Sequence, residues 1–187
     1  MKKITALAIG LCLAAATAVL AKEVAGVTVP DTATVEGKTL RLNGAGLRKK
    51  VVFKVYVGGL YLENPSKDAA TVISSDQIKR MQLSVLRSLS TKQVTEAIEE
   101  GFEKNSKAQM GALKARLDRL GTMIPNVEKG DLILLTYVPG KGTVVSAKGV
   151  EKGVIEGKDF ADALFAVWLG ASPVQEDLKT ALLGASS

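Results

Sequence analysis

Arg48, at the end of Asn43-Gly44-Ala45-Gly46-Leu47-Arg48, and Tyr56, within Phe53-Lys54-Val55-Tyr56-Val57, are the side chains of this sequence best suited to gripping an anion. A guanidinium stays charged at every accessible pH and forks onto a carboxylate or enolate with two parallel hydrogen bonds. At a glycine turn beside an apolar strand, Arg48 would hold the head of an amphipathic molecule whose tail lies between sheet and helices. From spacing alone, an exposed arginine paired with a nearby acid is the commoner arrangement. Lys54 and Tyr56 share one strand face, where Lys54 would reach to an edge and Tyr56 would hydrogen-bond a backbone group.

Other chemistry is excluded by composition. The sequence has no histidine, and its single cysteine, Cys12, lies in the apolar leader. Ser-His-Asp and Cys-His nucleophiles, zinc sites built from His or Cys, and disulfides are therefore unavailable to the chain beyond that leader. Acid–base chemistry would fall to Tyr, Lys, Asp, Glu or Arg with shifted pKa values. Glu96, Glu99, Glu100 and Glu103 lie on the polar side of a helix and read as a solvated face rather than a carboxylate centre. Gly44-x-Gly46 lacks a third glycine and precedes a strand, so it is no dinucleotide fingerprint.

The elements that must position Arg48 and Tyr56 follow from periodicity. Val24 to Val29 alternates weakly before the turn at Pro30-Asp31, and Thr39 to Leu42 reads as a short strand. A long strand from Val51 to Leu62 is apolar on both faces and should be covered on both sides. Within it, Gly58 and Gly59 predict a bulge or a close approach of ligand or helix to the backbone. Ile78 to Leu86 alternates as another strand. Ser90 and Gln93 form a capping box, followed by the helical stripe Val94, Ala97, Ile98, Gly101, Phe102.

A second helix carries Met110, Leu113, Leu117 and Leu120 and stops at Gly121. Leu132–Val138 and Thr143–Ala147 flank the four-residue loop Pro139 to Gly142 as a hairpin, with a short strand near Val154 and Ile155. Phe160, Ala163, Leu164, Val167 and Trp168 mark a third helix ended by Gly170. Ser172, Pro173 and Gln175 predict a boxed, proline-started fourth helix that ends at Gly184. Phe160, Phe165 and Trp168 read as helix packing. Strands, helices, strands, then helices predict an α+β domain: an open-faced antiparallel β-sheet packed with helices on one face.

Lys2, Lys3, the apolar run Ile4 to Leu20 and the small residue Ala21 read as a signal peptide over 1–21, leaving one domain over 22–187. The predicted location is periplasmic or secreted, with no stable membrane span after cleavage. The formal net charge is +6; without Lys2 and Lys3 the 25 basic residues become 23 against 19 acidic, or +4. That mild balance suits anionic small molecules or headgroups rather than nucleic acid.

The run Asn43-Gly44-Ala45-Gly46-Leu47-Arg48-Lys49-Lys50, followed by a strand ending in Tyr61-Leu62-Glu63, resembles the opening signature of the chalcone isomerase-like family. The closing run from Lys158 to Gly184 is similar to that family's last helices. The resemblance implies the family's fold over nearly the whole exported part, no cofactor, and Arg48 facing a ligand cleft. The polar residues with which the family's isomerases order water and recognise a flavonoid fall here at Tyr56, Val94, Ala97, Gly101, Val167 and Trp168, so only Arg48 is retained. The same replacements suit a lipid-like ligand, and the family's fatty-acid-binding members set an arginine and a tyrosine on the carboxylate. The implied site is therefore Arg48 and Tyr56 on a charged group, with the other five residues lining an apolar pocket. The expected function is noncatalytic binding of a small amphipathic anion such as a fatty acid. Two alternatives are an isomerase or lyase with Arg48 on the oxyanion and Tyr56 moving a proton, and a cell-envelope accessory protein with a vestigial cleft and a protein partner.

Overall fold

A computed structural model describes residues 21–184; apart from Ala21, the leader read at 1–21 lies outside the described residues. Strands β1 (Ala21–Val24) and β2 (Val27–Pro30) form a small hairpin. Then come β3 (Thr32–Val35), β4 (Lys38–Lys50), β5 (Phe53–Leu62), α1 (Ala69–Ser74), β6 (Lys79–Val85), α2 (Thr91–Ser106) and α3 (Met110–Met123). The chain closes with β7 (Leu132–Val138), β8 (Gly142–Ala147), β9 (Val150–Ile155), α4 (Lys158–Leu169) and α5 (Glu176–Leu182). A seven-stranded sheet takes the strands in sequence order, β3-β4-β5-β6-β7-β8-β9, every neighbouring pair antiparallel. The expected α+β architecture, helices on one face of an open antiparallel sheet, is the one observed.

Both faces of β5 are covered, as its two-sided apolar pattern predicts. Leu60 and Leu62 join the main core with Phe160, Leu164, Trp168, Leu178 and Leu182 from the helices. Val57 and Tyr61 point the other way, into a second cluster with Val29, Leu40 and Ala45, where the Tyr61 hydroxyl donates to the Pro30 carbonyl across 2.8 Å. The β1–β2 hairpin is thus the lid of the sheet's second face. α4 buries Ala161, Phe165, Ala166 and Leu169 besides its predicted stripe, because it touches α1, α2, α5 and β8 at once. A helix apolar all round is stable only when enclosed in this way.

Several local readings are corrected. Asn43 to Gly46 is no turn but the middle of β4, a strand of 13 residues. The ladder steps from Leu42↔Tyr61 to Gly44↔Leu60, which leaves Asn43 as the extra residue of a bulge. Its side chain is held by the Ser66 and Leu182 carbonyls, and it accepts from the Ser66 N–H. The bulge shifts the side-chain phase by one. Leu40, Leu42, Ala45 and Leu47 then pack toward the hairpin lid, whereas Gly44 and Gly46 turn to α5. A Cβ at Gly44 would stand 2.6 Å from the Leu182 carbonyl oxygen, and one at Gly46 2.7 Å from Ala181 Cβ, so these glycines are required by a helix lying on the strand. Gly58 likewise faces Leu178 and Leu182, the close helix approach its position predicts.

β5 starts at Phe53 rather than Val51, and Val51 and Val52 form the turn from β4. Val51 has φ +56°, a left-handed conformation that a β-branched residue adopts at a cost of about 1–3 kcal/mol. Gly121 lies inside α3, which runs on to Met123 and meets Pro125 just beyond its end. Gly142 pairs with Val138, leaving Pro139 to Lys141 as the loop. The box at Ser90 and Gln93 is formed as predicted. The one at Ser172 is not: α5 starts at Glu176, because the Gln175 side chain is spent on β4. Two elements had no sequence reading, β3 and α1, the latter capped by Asp68 accepting from the Thr71 N–H at 2.7 Å.

Candidate functional site

Arg48 and Tyr56 are direct partners in the β4–β5 ladder, so their side chains leave the sheet on the same face. That face is the helical one, because the Asn43 bulge has moved Arg48 onto it with Gly44 and Gly46. The Tyr56 hydroxyl accepts a 2.8 Å hydrogen bond from the indole N–H of Trp168, not the backbone contact its position predicts. Burial pushes the Tyr56 phenol up to about 12, although the Trp168 hydrogen bond and the Arg48 charge both pull it down. Tyr56 is therefore a neutral phenol at physiological pH.

Gln175 completes the cluster. Its Oε1 accepts from the Lys49 N–H at 2.9 Å and from Arg48 Nη1 at 3.3 Å, and its Nε2 donates to the Leu47 carbonyl at 3.2 Å. Arg48 Nη1 also donates to the Lys49 carbonyl. Among the described residues Arg48 makes no salt bridge, so its charge faces neutral oxygens only. Glu100, on α2, feels both Arg48 and Lys50, but its carboxylate is held below the usual range first by the hydrogen bond from Lys104, 2.6 Å away.

The remaining residues of the implied pocket divide. Val94 is buried on α2, and Val167 and Trp168 are buried on α4. Gly101 faces Val167 so closely that a Cβ there would lie 2.6 Å from Val167 Cγ1. Ala97 is exposed at the rim of the α2 stripe. Val167 fills the α2–α4 contact at Gly101, while Trp168 reaches Tyr56 on β5. A surface groove of about 410 Å³ lies elsewhere, between α2 and α3, lined by Thr91, Thr95, Ile98, Leu117 and Gly121 among others. The four glutamates of α2 form ion pairs with lysines or face solvent, as a solvated face should: Glu96 with Lys92, Glu99 with Lys114, Glu100 with Lys104.

Sequence reasoning passed over Lys79. Its side chain is fully buried, and Nζ donates to the carbonyls of Val72 (3.1 Å), Ile73 and Ser75 (3.3 Å), with Asp162 at 3.4 Å. The rings of Tyr137 and Phe165 stand 5.4 and 5.1 Å from it. Burial lowers its pKa, against the pull of Asp162. With its donors met by the last carbonyls of α1, Lys79 is a C-terminal cap. Its signal was the alternation phase, which puts it on the buried face with Met81, Leu83 and Val85.

Comparison with known proteins gives consistent results. The structure is similar to a crystal structure of an Arabidopsis thaliana fatty-acid binding protein, with a TM-score of 0.67 and 17% identity, covering 84% of this chain and 92% of that one. At that identity the likeness is one of fold. A search of curated proteins finds no match. The family model described as chalcone isomerase-like matches residues 21–184, in line with the glycine-arginine signature, the strand ending in Tyr61-Leu62-Glu63 and the closing helices, and the chain belongs to the chalcone isomerase-like family.

Proposed function

We propose that this chain is an exported, noncatalytic carrier of a small amphipathic anion such as a fatty acid, with Arg48 on the charged group and Tyr56 beside it. The observation that carries the reading is the Arg48 guanidinium, set opposite the half-buried Tyr56 and facing only the neutral oxygens of Gln175 and Lys49. A carboxylate displacing the Gln175 amide would exchange a neutral hydrogen bond for a charge-assisted, bidentate one. The name of the Arabidopsis protein of the same fold supports the ligand class. The tail would enter between β5 and the helices, where Val94, Gly101, Val167 and Trp168 supply an apolar lining and Ala97 a rim. Trp168 is hydrogen-bonded to Tyr56 across that space, so an entering tail would displace it.

Proton transfer by Tyr56 is disfavoured, because a phenol held up at about 12 exchanges its proton poorly near neutrality. A second reading, an accessory protein with a closed cleft and a protein partner, is favoured by the close fit of Val167 against Gly101. Native mass spectrometry of protein purified from its own cells separates the two. A stoichiometric lipid acid lost in Arg48→Ala supports the carrier; an empty protein that also refuses added fatty acids supports the accessory reading.

A further inference from the structure

The β4–β5 turn carries a contiguous apolar tip that the fold leaves bare. Val51 is 87%, Val52 80% and Phe53 55% exposed, the first two among the most exposed large apolar side chains of the described residues. A two-residue turn between paired strands ordinarily takes Asn, Asp or Gly, which accept positive φ without strain. Here Val51 occupies that conformation. The tip therefore keeps apolar side chains at a position where local backbone chemistry favours polar ones or glycine.

The surroundings of the tip are cationic. Lys49, Lys50 and Lys54 flank it on the two strands, and the Arg87 guanidinium lies 4.6 Å from the centre of the Phe53 ring. All four are exposed, and among the described residues none of the four forms a salt bridge. Glu100, on the neighbouring α2, feels Lys50 and Arg48 but is engaged by Lys104, and Asp131, beside the Val85 end of β6, pairs with Lys148.

We infer that the Val51-Val52-Phe53 tip and its collar of Lys49, Lys50, Lys54 and Arg87 dock the protein on an anionic phospholipid bilayer. The apolar side chains enter the boundary between headgroups and acyl chains while the cations hold the phosphates, as basic amphipathic surfaces do. Charge complementarity favours this occupant. So does shape: a convex tip of three apolar residues falls well short of the roughly 800 Å² per partner that a stable protein interface takes. Docking in this way places Arg48, three residues from the tip, at the membrane surface from which a lipid acid would leave. The inference stands without the carrier reading, since it concerns the surface and not the cleft.

The test is flotation of the chain from Ala21 onward, which holds every element of the fold and both hydrophobic clusters, with vesicles of phosphatidylcholine alone or with phosphatidylglycerol added. Wild type is expected on the anionic vesicles only. The double variant Val51→Asn, Val52→Gly, which relieves the turn, should float at least about tenfold less while melting no lower than wild type. Lys49→Glu with Lys50→Glu should abolish flotation. Equal flotation of wild type and the tip variant would overturn the inference by reducing the surface to charge alone. So would absence of wild-type binding, or a dimer broken by the tip variant without any vesicle binding.

Discussion

The indole N–H of Trp168 and the hydroxyl of Tyr56 meet across 2.8 Å at the point where α4 lies on β5. Trp168 is the only tryptophan in the sequence, so its fluorescence reports directly on the candidate site. Tyr56→Phe removes the acceptor and strands the indole donor in a buried position, which costs about 1–3 kcal/mol. Urea denaturation followed by Trp168 emission should show that loss, with a shift in the native-state spectrum; an unchanged midpoint would mean that the bond contributes nothing to stability.

The asparagine bulge explains why the fold was readable and the site only partly so. Alternation, caps and glycines revealed the sheet, α2, α3 and α4, because each is a local pattern with one physical cause. Arg48 was singled out on a glycine turn that the structure replaces with the middle of β4. Sequence alternation without the Asn43 bulge would set Arg48 on the same face as Leu40 and Leu42, away from Tyr56. A bulge leaves no periodic trace, and its anchor, the α5 carbonyl of Leu182, is distant in sequence. Gln175 was hidden for the same reason: its partners are Leu47, Arg48 and Lys49. Ala97 shows the limit of a helical stripe, whose rim positions face solvent when no neighbouring element reaches them.

Alkaline pH should unfold the protein through its tyrosines. Burial raises Tyr56 and Tyr61 from 10.0 to about 12 and pushes Tyr137 higher still, with Asp76 accepting from its hydroxyl at 2.6 Å. A folded-state pKa above the unfolded value means that the native state holds its protons longer. The stabilisation is therefore complete below pH 10 and is lost as pH rises through about 12. Absorbance at about 295 nm should show little tyrosinate until secondary structure is lost, both changes falling in that window. Free-tyrosine titration near pH 10 with the fold intact would refute it.

Lys79→Met should be among the most damaging single changes, because it leaves the Ile73 and Ser75 carbonyls without their Lys79 donor, while Val72 keeps the Ser75 hydroxyl. A loss of about 2 kcal/mol or more is expected at roughly 1–3 kcal/mol for each of the two unsatisfied groups. Asp162→Asn should cost less than Lys79→Met, since Asp162 is partly exposed and the α1 carbonyls still hold the Lys79 ammonium. Equal losses in the two variants would show that the ion pair, not the helix cap, is what Lys79 provides.

Gly101 and Val167 should behave as a coupled pair. Gly101→Ala forces a methyl into Val167 and should destabilise by about 1–3 kcal/mol. Adding Val167→Ala should recover most of that loss. On its own, Val167→Ala opens space beside Gly101 and should raise the uptake of a long-chain fatty acid severalfold, measured by displacement of a fluorescent probe. A variant that takes up no more acid than wild type would place the tail elsewhere.

The most direct test of the carrier reading is a titration of Trp168 fluorescence with a long-chain fatty acid, comparing wild type with Arg48→Ala. Wild type should give a saturable change, since the tail must move Trp168 from its bond with Tyr56. Arg48→Ala should bind at least about tenfold more weakly, the loss of a charge-assisted hydrogen bond worth about 1.5–3 kcal/mol, with an unaltered melting temperature. A flat wild-type titration, or equal affinity in the two proteins, would contradict it.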